Sequence, residues 1–126
     1  MTNSSTIEHS ISSLASEFGI TTRAIRFYEE KGLLNPRREG NTRIYSARDR
    51  TELKLILRGK RLGFTLEQSR AIINLYDPAS GNAQQLQTLI DTIHDKRKLL
   101  KQQLNDINGM MKDLDEAEKK CLQAMT

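Results

Sequence analysis

The chain has 126 residues, of which 37% are hydrophobic and 29% charged, with a net charge of +4. This size fits one small domain plus a long helix, and the composition excludes an intrinsically disordered chain. The apolar runs are too short for a membrane span, and MTNSSTIEHS lacks the pattern of a secretory signal. The single cysteine, Cys121, cannot form an internal disulfide, which fits a cytoplasmic setting.

Positive charge is concentrated in the N-terminal part of the chain. Residues 1–76 carry 13 Lys and Arg against 8 Asp and Glu, whereas residues 77–126 carry 7 against 8. Such a block can be a solvated surface. Residues 84–126 are expected to form a helix that pairs with a second copy of the chain. A basic block beside such a helix indicates a polyanionic partner, and we expect duplex DNA.

Two short helices come first. Residues 1–10 are rich in Ser and Thr and are expected to be frayed. Ile11 begins a helix that Ser12 can cap and Gly19 ends, and Thr21 can cap a second helix. This is the pattern of a helix-turn-helix motif, whose second helix places its first residues in the major groove.

The second helix supplies the candidate base contacts. Arg23 lies in its first turn, and a forked guanidinium suits guanine O6 and N7. Thr22 is short enough to reach a phosphate or a thymine methyl. Arg26 lies on a similar face, and a salt bridge to Glu29 or Glu30 is its alternative role.

A basic hairpin follows. The stretch RREGNTRIY alternates in the manner of a strand on each side of a turn at Gly40-Asn41, which predicts a wing. Its candidate phosphate contacts are Arg37, Arg38, Arg43 and the Tyr45 hydroxyl.

Two more helices complete this part. Ser46 and Thr65 are predicted caps, each with a capping-box partner three residues later. Lys60 and Arg61 are expected in a second basic loop between these helices. We expect a DNA-binding domain over residues 1–76 and a linker over residues 77–83.

Residues 84–126 predict one long helix. Apolar residues recur in alternate steps of four and three, which is the repeat of a coiled-coil seam. Packing against its own domain is the alternative, but a rod of roughly 60 Å needs a second copy to cover it. The predicted seam comprises Leu86, Ile90, Ile93, Leu100, Leu104, Ile107, Met111 and Leu114.

The N-terminal stretches together resemble the MerR family of bacterial transcription regulators. The segments that carry the resemblance lie between Ile11 and Tyr76 and read ISSLASEFGI, TTRAIRFYEEKGLL, NTRIYSARD and RLGFTLEQSRAII. The resemblance implies a mainly α fold, with a winged helix-turn-helix domain followed by a helix that forms an antiparallel coiled coil in a homodimer. It also implies a palindromic promoter that the dimer distorts in response to an effector, so that RNA polymerase can engage it.

The resemblance also implies roles for individual residues. Arg23 would contact a base. The residues that would contact mainly the DNA backbone are Thr22, Tyr28, Arg43, Tyr45, Lys60 and Arg61. Arg37 and Arg38 lie in the wing, whose length varies in the family.

The sequence says least about the identity of the effector. Metal-sensing relatives use cysteines after the dimer helix, whereas the only cysteine here, Cys121, lies on the seam, so no metal site or cofactor is expected. A small buried residue and a redox sensor are its alternative roles. The segments YDPASGNAQQL and KRKLLKQQL are loosely similar to the branch that controls leucine/isovalerate breakdown, which implies an acyl-CoA effector.

Other functional classes have less support. A coiled-coil adaptor with a basic protein-binding head does not need arginines in both a recognition helix and a wing. An enzyme is not expected, because the sequence has no His–carboxylate constellation, phosphate-cradling glycine loop or activated nucleophile.

Overall fold

The structure, a computed structural model, describes residues 7–126, and contacts divide the chain into two compact units after Leu86. The N-terminal unit holds four helices and a small sheet, and the second unit is most of one long helix. The predicted mainly α fold with a hairpin wing and a long C-terminal helix is confirmed.

The first two helices form the predicted helix-turn-helix. Helix α1 spans Ile11–Phe18, and α2 spans Thr22–Glu30. Gly19 ends α1 in the left-handed conformation, with φ 66°, which glycine adopts without steric cost. The Thr21 hydroxyl accepts a hydrogen bond from the Ala24 amide, as predicted. The cap of α1 is Ser10 rather than Ser12, because the Ser10 hydroxyl accepts the Ser13 amide.

The sheet has three antiparallel strands in the order β1-β3-β2. Strands β2, Arg37–Glu39, and β3, Thr42–Ser46, form the predicted hairpin. Strand β1, Glu8–His9, pairs with the end of β3, which corrects the expectation that these two residues are frayed. Ser10 of the same segment caps α1, and residues 1–6 lie outside the described residues.

Helices α3, Ala47–Arg61, and α4, Leu66–Ile73, complete the N-terminal unit. Both begin with the predicted capping boxes, at Ser46 and Thr65. The core gathers apolar side chains from α1, α2, β3, α3 and α4. Its fully buried large side chains are Leu14, Ile25, Leu34, Tyr45, Leu53 and Ile56.

Helix α5 spans Ala83–Ala124, 42 residues or roughly 63 Å. A short 3₁₀ turn, Pro78–Ser80, precedes it. Its first turn belongs to the N-terminal unit, since the buried Gln85 amide donates a hydrogen bond of 2.9 Å to the Ile72 carbonyl. Across the described residues, no helix combines the length and apolar composition of a membrane span.

Candidate nucleic-acid interface

Helix α2 is held by one face and exposed on the other. Ile25 and Tyr28 are 0% and 5% exposed and anchor it to the core. Arg23, in the first turn, and Arg26, one turn later, are exposed. The helix therefore exposes one cation in its first turn and a second at its middle, in the manner of a recognition helix.

A surface cleft of about 540 Å³ lies beside this end of α2. Arg23 lines it together with Lys60, so the structure brings together two residues that the sequence placed far apart. Thr21 and the rings of Phe27 and Phe64 also line it. Lys60 and Arg61 lie in the last turn of α3 rather than in a loop, which corrects the predicted second basic loop.

The alternative role of Arg26 is not realised. Within residues 7–126, neither Glu29 nor Glu30 forms an ion pair with it. The Glu29 carboxylate is instead occupied by the wing.

Glu29 joins the recognition helix to the wing. Its Oε1 accepts a hydrogen bond of 2.6 Å from Arg38 Nη2, and its Oε2 accepts one of 2.6 Å from Arg43 Nε. The Glu29 and Arg43 side chains are 17% and 23% exposed. Burial by itself would raise the pKa of Glu29, but the two guanidinium groups outweigh it and hold the pKa below its ordinary value.

Arg37 is paired at the outer strand of the wing. Its guanidinium donates to Glu39 on the same strand and, at 2.6 Å, to Glu8 of β1. All three predicted wing arginines thus have carboxylate partners within the chain. A guanidinium has five N–H donors, so each retains donors that could reach a phosphate.

The two tyrosines predicted to contact DNA, Tyr28 and Tyr45, are both buried. Tyr45 is fully buried, and its hydroxyl has no hydrogen-bond partner among the described residues. Burial raises the pKa of this phenol. The predicted phosphate contact of Tyr45 is therefore wrong for this conformation. Tyr28 packs in the core and is 5% exposed, but it also lines the cleft that holds Arg23 and Lys60, where the contact predicted for it stays possible.

The cations of residues 7–76 fall into two classes. Six arginines form ion pairs: Arg37, Arg38, Arg43, Arg48, Arg50 and Arg70. Seven exposed cations form none within the part of the chain that the structure describes: Arg23, Arg26, Lys31, Lys54, Arg58, Lys60 and Arg61. The cations without an ion pair therefore belong to α2, its C-cap Lys31 and α3, and none of them belongs to the wing strands.

Glu29→Gln tests the link between α2 and the wing. Because the pKa of Glu29 is lowered in the folded state, its contribution is present above its ordinary pKa of 4.5 and is lost as the pH falls through the folded value. We expect the substitution to lower the free energy of unfolding near neutral pH by about 1–3 kcal/mol. The loss of stability on acidification should also shrink.

Chemical denaturation of the wild type and of Glu29→Gln over a series of pH values measures the free energy of unfolding and its pH dependence. Glu30→Gln is the matched control, since Glu30 is exposed and unpaired in the described structure. Equal stabilities for the two variants at every pH would contradict the role of Glu29.

Helix α5 carries an exposed apolar stripe. Seven of the eight predicted seam residues are between 45% and 62% exposed, and Ile93 is half-buried. Cys121, on the same stripe, is also exposed. The single chain therefore leaves its longest apolar surface uncovered.

Comparison with known proteins gives this architecture a family. Residues 9–75 match the family of MerR HTH family regulatory proteins, and residues 50–117 match a second family, "MerR, DNA binding". The chain belongs to the MerR family. It is a DNA-binding transcriptional regulator, and the relatives found are regulators rather than enzymes.

MerR relatives match over most of the chain. The regulator CueR of Escherichia coli is 34% identical over 107 residues, which is 82% of this chain and 76% of that protein. A MerR regulator from Bacillus cereus has 30% identity and a TM-score of 0.65, covering 90% of this chain and 82% of the other. The lead(II) complex of PbrR691 from Ralstonia metallidurans has 27% identity and a TM-score of 0.67, covering 86% of each.

Sequence reasoning missed two features of this MerR surface. Glu29 was considered only as a partner for Arg26, since nothing local indicates that a wing folds back onto it. Lys54 and Arg58 were not assigned at all. Their spacing from Arg61, seven and three residues, puts all three on one helical face, and that signal was available in the sequence.

Proposed function

We propose that the protein acts as a homodimer that holds two DNA-binding heads on one palindromic promoter. The observation that carries this proposal is the exposed apolar stripe of α5. Completing the burial of each half-exposed side chain contributes roughly 1 kcal/mol to the free energy of pairing. Each copy supplies seven such positions. A second α5 is the partner that repeats this spacing.

The pairing is antiparallel in this proposal. A two-fold axis then relates the copies, and the same seam residues serve both. Two-fold symmetry in the protein matches a palindromic operator. The paired helices fix the separation of the heads, and a promoter spacer of another length must bend or untwist at a cost of several kcal/mol.

Each head would divide its contacts between bases and phosphates. Arg23 is the base-reading residue, supported by its exposure and its lack of an ion pair within residues 7–126. Thr22, Arg26, Lys60 and Arg61 contact the backbone around it. The three wing arginines use the N–H groups left over from their ion pairs, and Glu29 fixes the wing for this purpose.

The proposed organisation has three parts. A DNA-binding domain spans residues 1–76, a linker spans residues 77–83, and the dimer helix spans residues 84–126. The protein works in the cytoplasm, where its promoter and RNA polymerase are found, and it affects the polymerase indirectly, through the shape of the DNA.

The proposal names no effector. The relatives that match the chain support neither the leucine/isovalerate branch nor an acyl-CoA effector. The lead(II) of PbrR691 is a property of that protein, and residues 7–126 of one chain hold no cluster of three His, Cys, Asp or Glu suited to a metal ion. The redox role of Cys121 also stays outside the proposal.

Footprinting on the DNA upstream of the protein's own coding sequence tests the proposal. We expect a two-fold symmetric footprint and binding that weakens steeply as salt increases. A basic adaptor that binds proteins would give no palindromic footprint, and that result would contradict the proposal.

A further inference from the structure

Helix α3 carries a row of three cations, of which only Arg61 belongs to the proposed DNA-binding surface. Lys54, Arg58 and Arg61 follow one another at spacings of four and three residues, which aligns them on one helical face. All three are exposed, and none forms an ion pair within residues 7–126. The row is roughly 10 Å long at the rise of an α-helix.

These cations line a surface cleft of about 430 Å³. Phe18, the last residue of α1, contributes to the same cleft. Thr21, the cap of α2, lines the other cleft together with Arg23 and Lys60. The two clefts therefore border the same α1–α2 turn, at the end of α2 that a recognition helix presents to DNA.

The positive charge of this row is not neutralised by Glu17, an acidic residue of α1. Glu17 lies close enough to Lys54 for their charges to interact. Its carboxylate is already hydrogen-bonded to Arg50, with 3.0 Å from Arg50 Nε to Glu17 Oε1. The cleft beside α1 therefore keeps three uncompensated positive charges.

We propose that the face formed by Lys54, Arg58 and Arg61 binds phosphates of the same duplex, beside the segment that α2 enters. Duplex DNA carries one negative charge per 1.7 Å or so of its axis, so several phosphates fall within the length of the row. This inference rests on the proposed function and extends its surface by Lys54 and Arg58. An acidic protein segment is the other occupant that the charge would suit. The cleft of the row and the cleft that holds Lys60 and Arg23 border the same α1–α2 turn, which favours DNA.

The test is the salt dependence of binding by K54Q/R58Q/R61Q in the full-length protein. Two probes are used: the footprinted palindromic duplex and a mixed-sequence duplex of the same length. Each lost phosphate contact lowers the slope of log K against log salt by about 0.9, so we expect a decrease of up to about 2.7 per protomer on both probes. Their affinity ratio should stay constant, because phosphate contacts carry no sequence information.

The control K112Q/K119Q/K120Q removes the same number of charges from exposed positions of α5 and should leave the slope unchanged. The single variants Arg58→Gln and Arg58→Lys separate loss of charge from loss of fold, with a decrease near 0.9 expected only for Gln. If the wild type binds the palindrome and the triple variant matches the control, the α3 face is not a DNA surface and only this inference fails. If the wild type binds neither duplex, the proposed function fails with it.

Discussion

Leu104→Lys is expected to convert the protein to a monomer and to abolish its tight binding to a palindromic site. Leu104 is 56% exposed in one chain and lies in the middle of the α5 stripe. A lysine there would bring an unpaired charge into the paired seam, which costs on the order of 3–5 kcal/mol. Association should therefore weaken by roughly 100-fold or more.

Sedimentation velocity over a range of concentrations measures this change. Gln102→Lys is the matched control, because it adds the same side chain on the same helix at an exposed position off the predicted seam. An intact Leu104→Lys dimer would show that the seam lies elsewhere. Equal dissociation of both variants would show that charge, rather than seam position, governs pairing.

Arg23→Ala is expected to remove sequence preference rather than general affinity for DNA. Arg23 is exposed and lines the cleft beside the amino-terminal end of α2. A bidentate contact from arginine to guanine contributes about 1–3 kcal/mol of discrimination. The variant should lose about 1–3 kcal/mol of binding free energy on the palindromic site and much less on mixed-sequence DNA.

Competition binding with the palindromic duplex and a mixed-sequence duplex gives the ratio of the two affinities directly. Lys112→Ala removes one positive charge from α5 and should leave the ratio unchanged. If Arg23→Ala weakened both duplexes equally, Arg23 would be a phosphate contact, and another residue would read the bases.

Local chemistry made much of the N-terminal unit predictable. Thr21, Ser46 and Thr65 cap their helices because short hydroxyl side chains reach the amide three residues later. The cap of α1 was predicted at Ser12 but lies at Ser10, two residues earlier, where another serine stands. Strand β1 has only two residues, too few for any periodicity, and it exists only because β3 is there to pair with it.

The wing shows what local pattern cannot supply. Residues 43 and 45 lie on the same face of β3, since side chains alternate along a strand. The sequence assigned that face to DNA, whereas the structure buries Tyr45 and joins Arg43 to Glu29. Alternation predicted that the two share a face, but the docking of the wing on α2 decides which way the face points.

The central claim is that two copies clamp one duplex, and the mass of the protein–DNA complex tests it most directly. Sedimentation equilibrium on the footprinted palindrome should give two chains of 14.4 kDa per duplex. A duplex carrying one half-site should bind far more weakly. A saturated complex with a single chain on the intact palindrome would contradict the account.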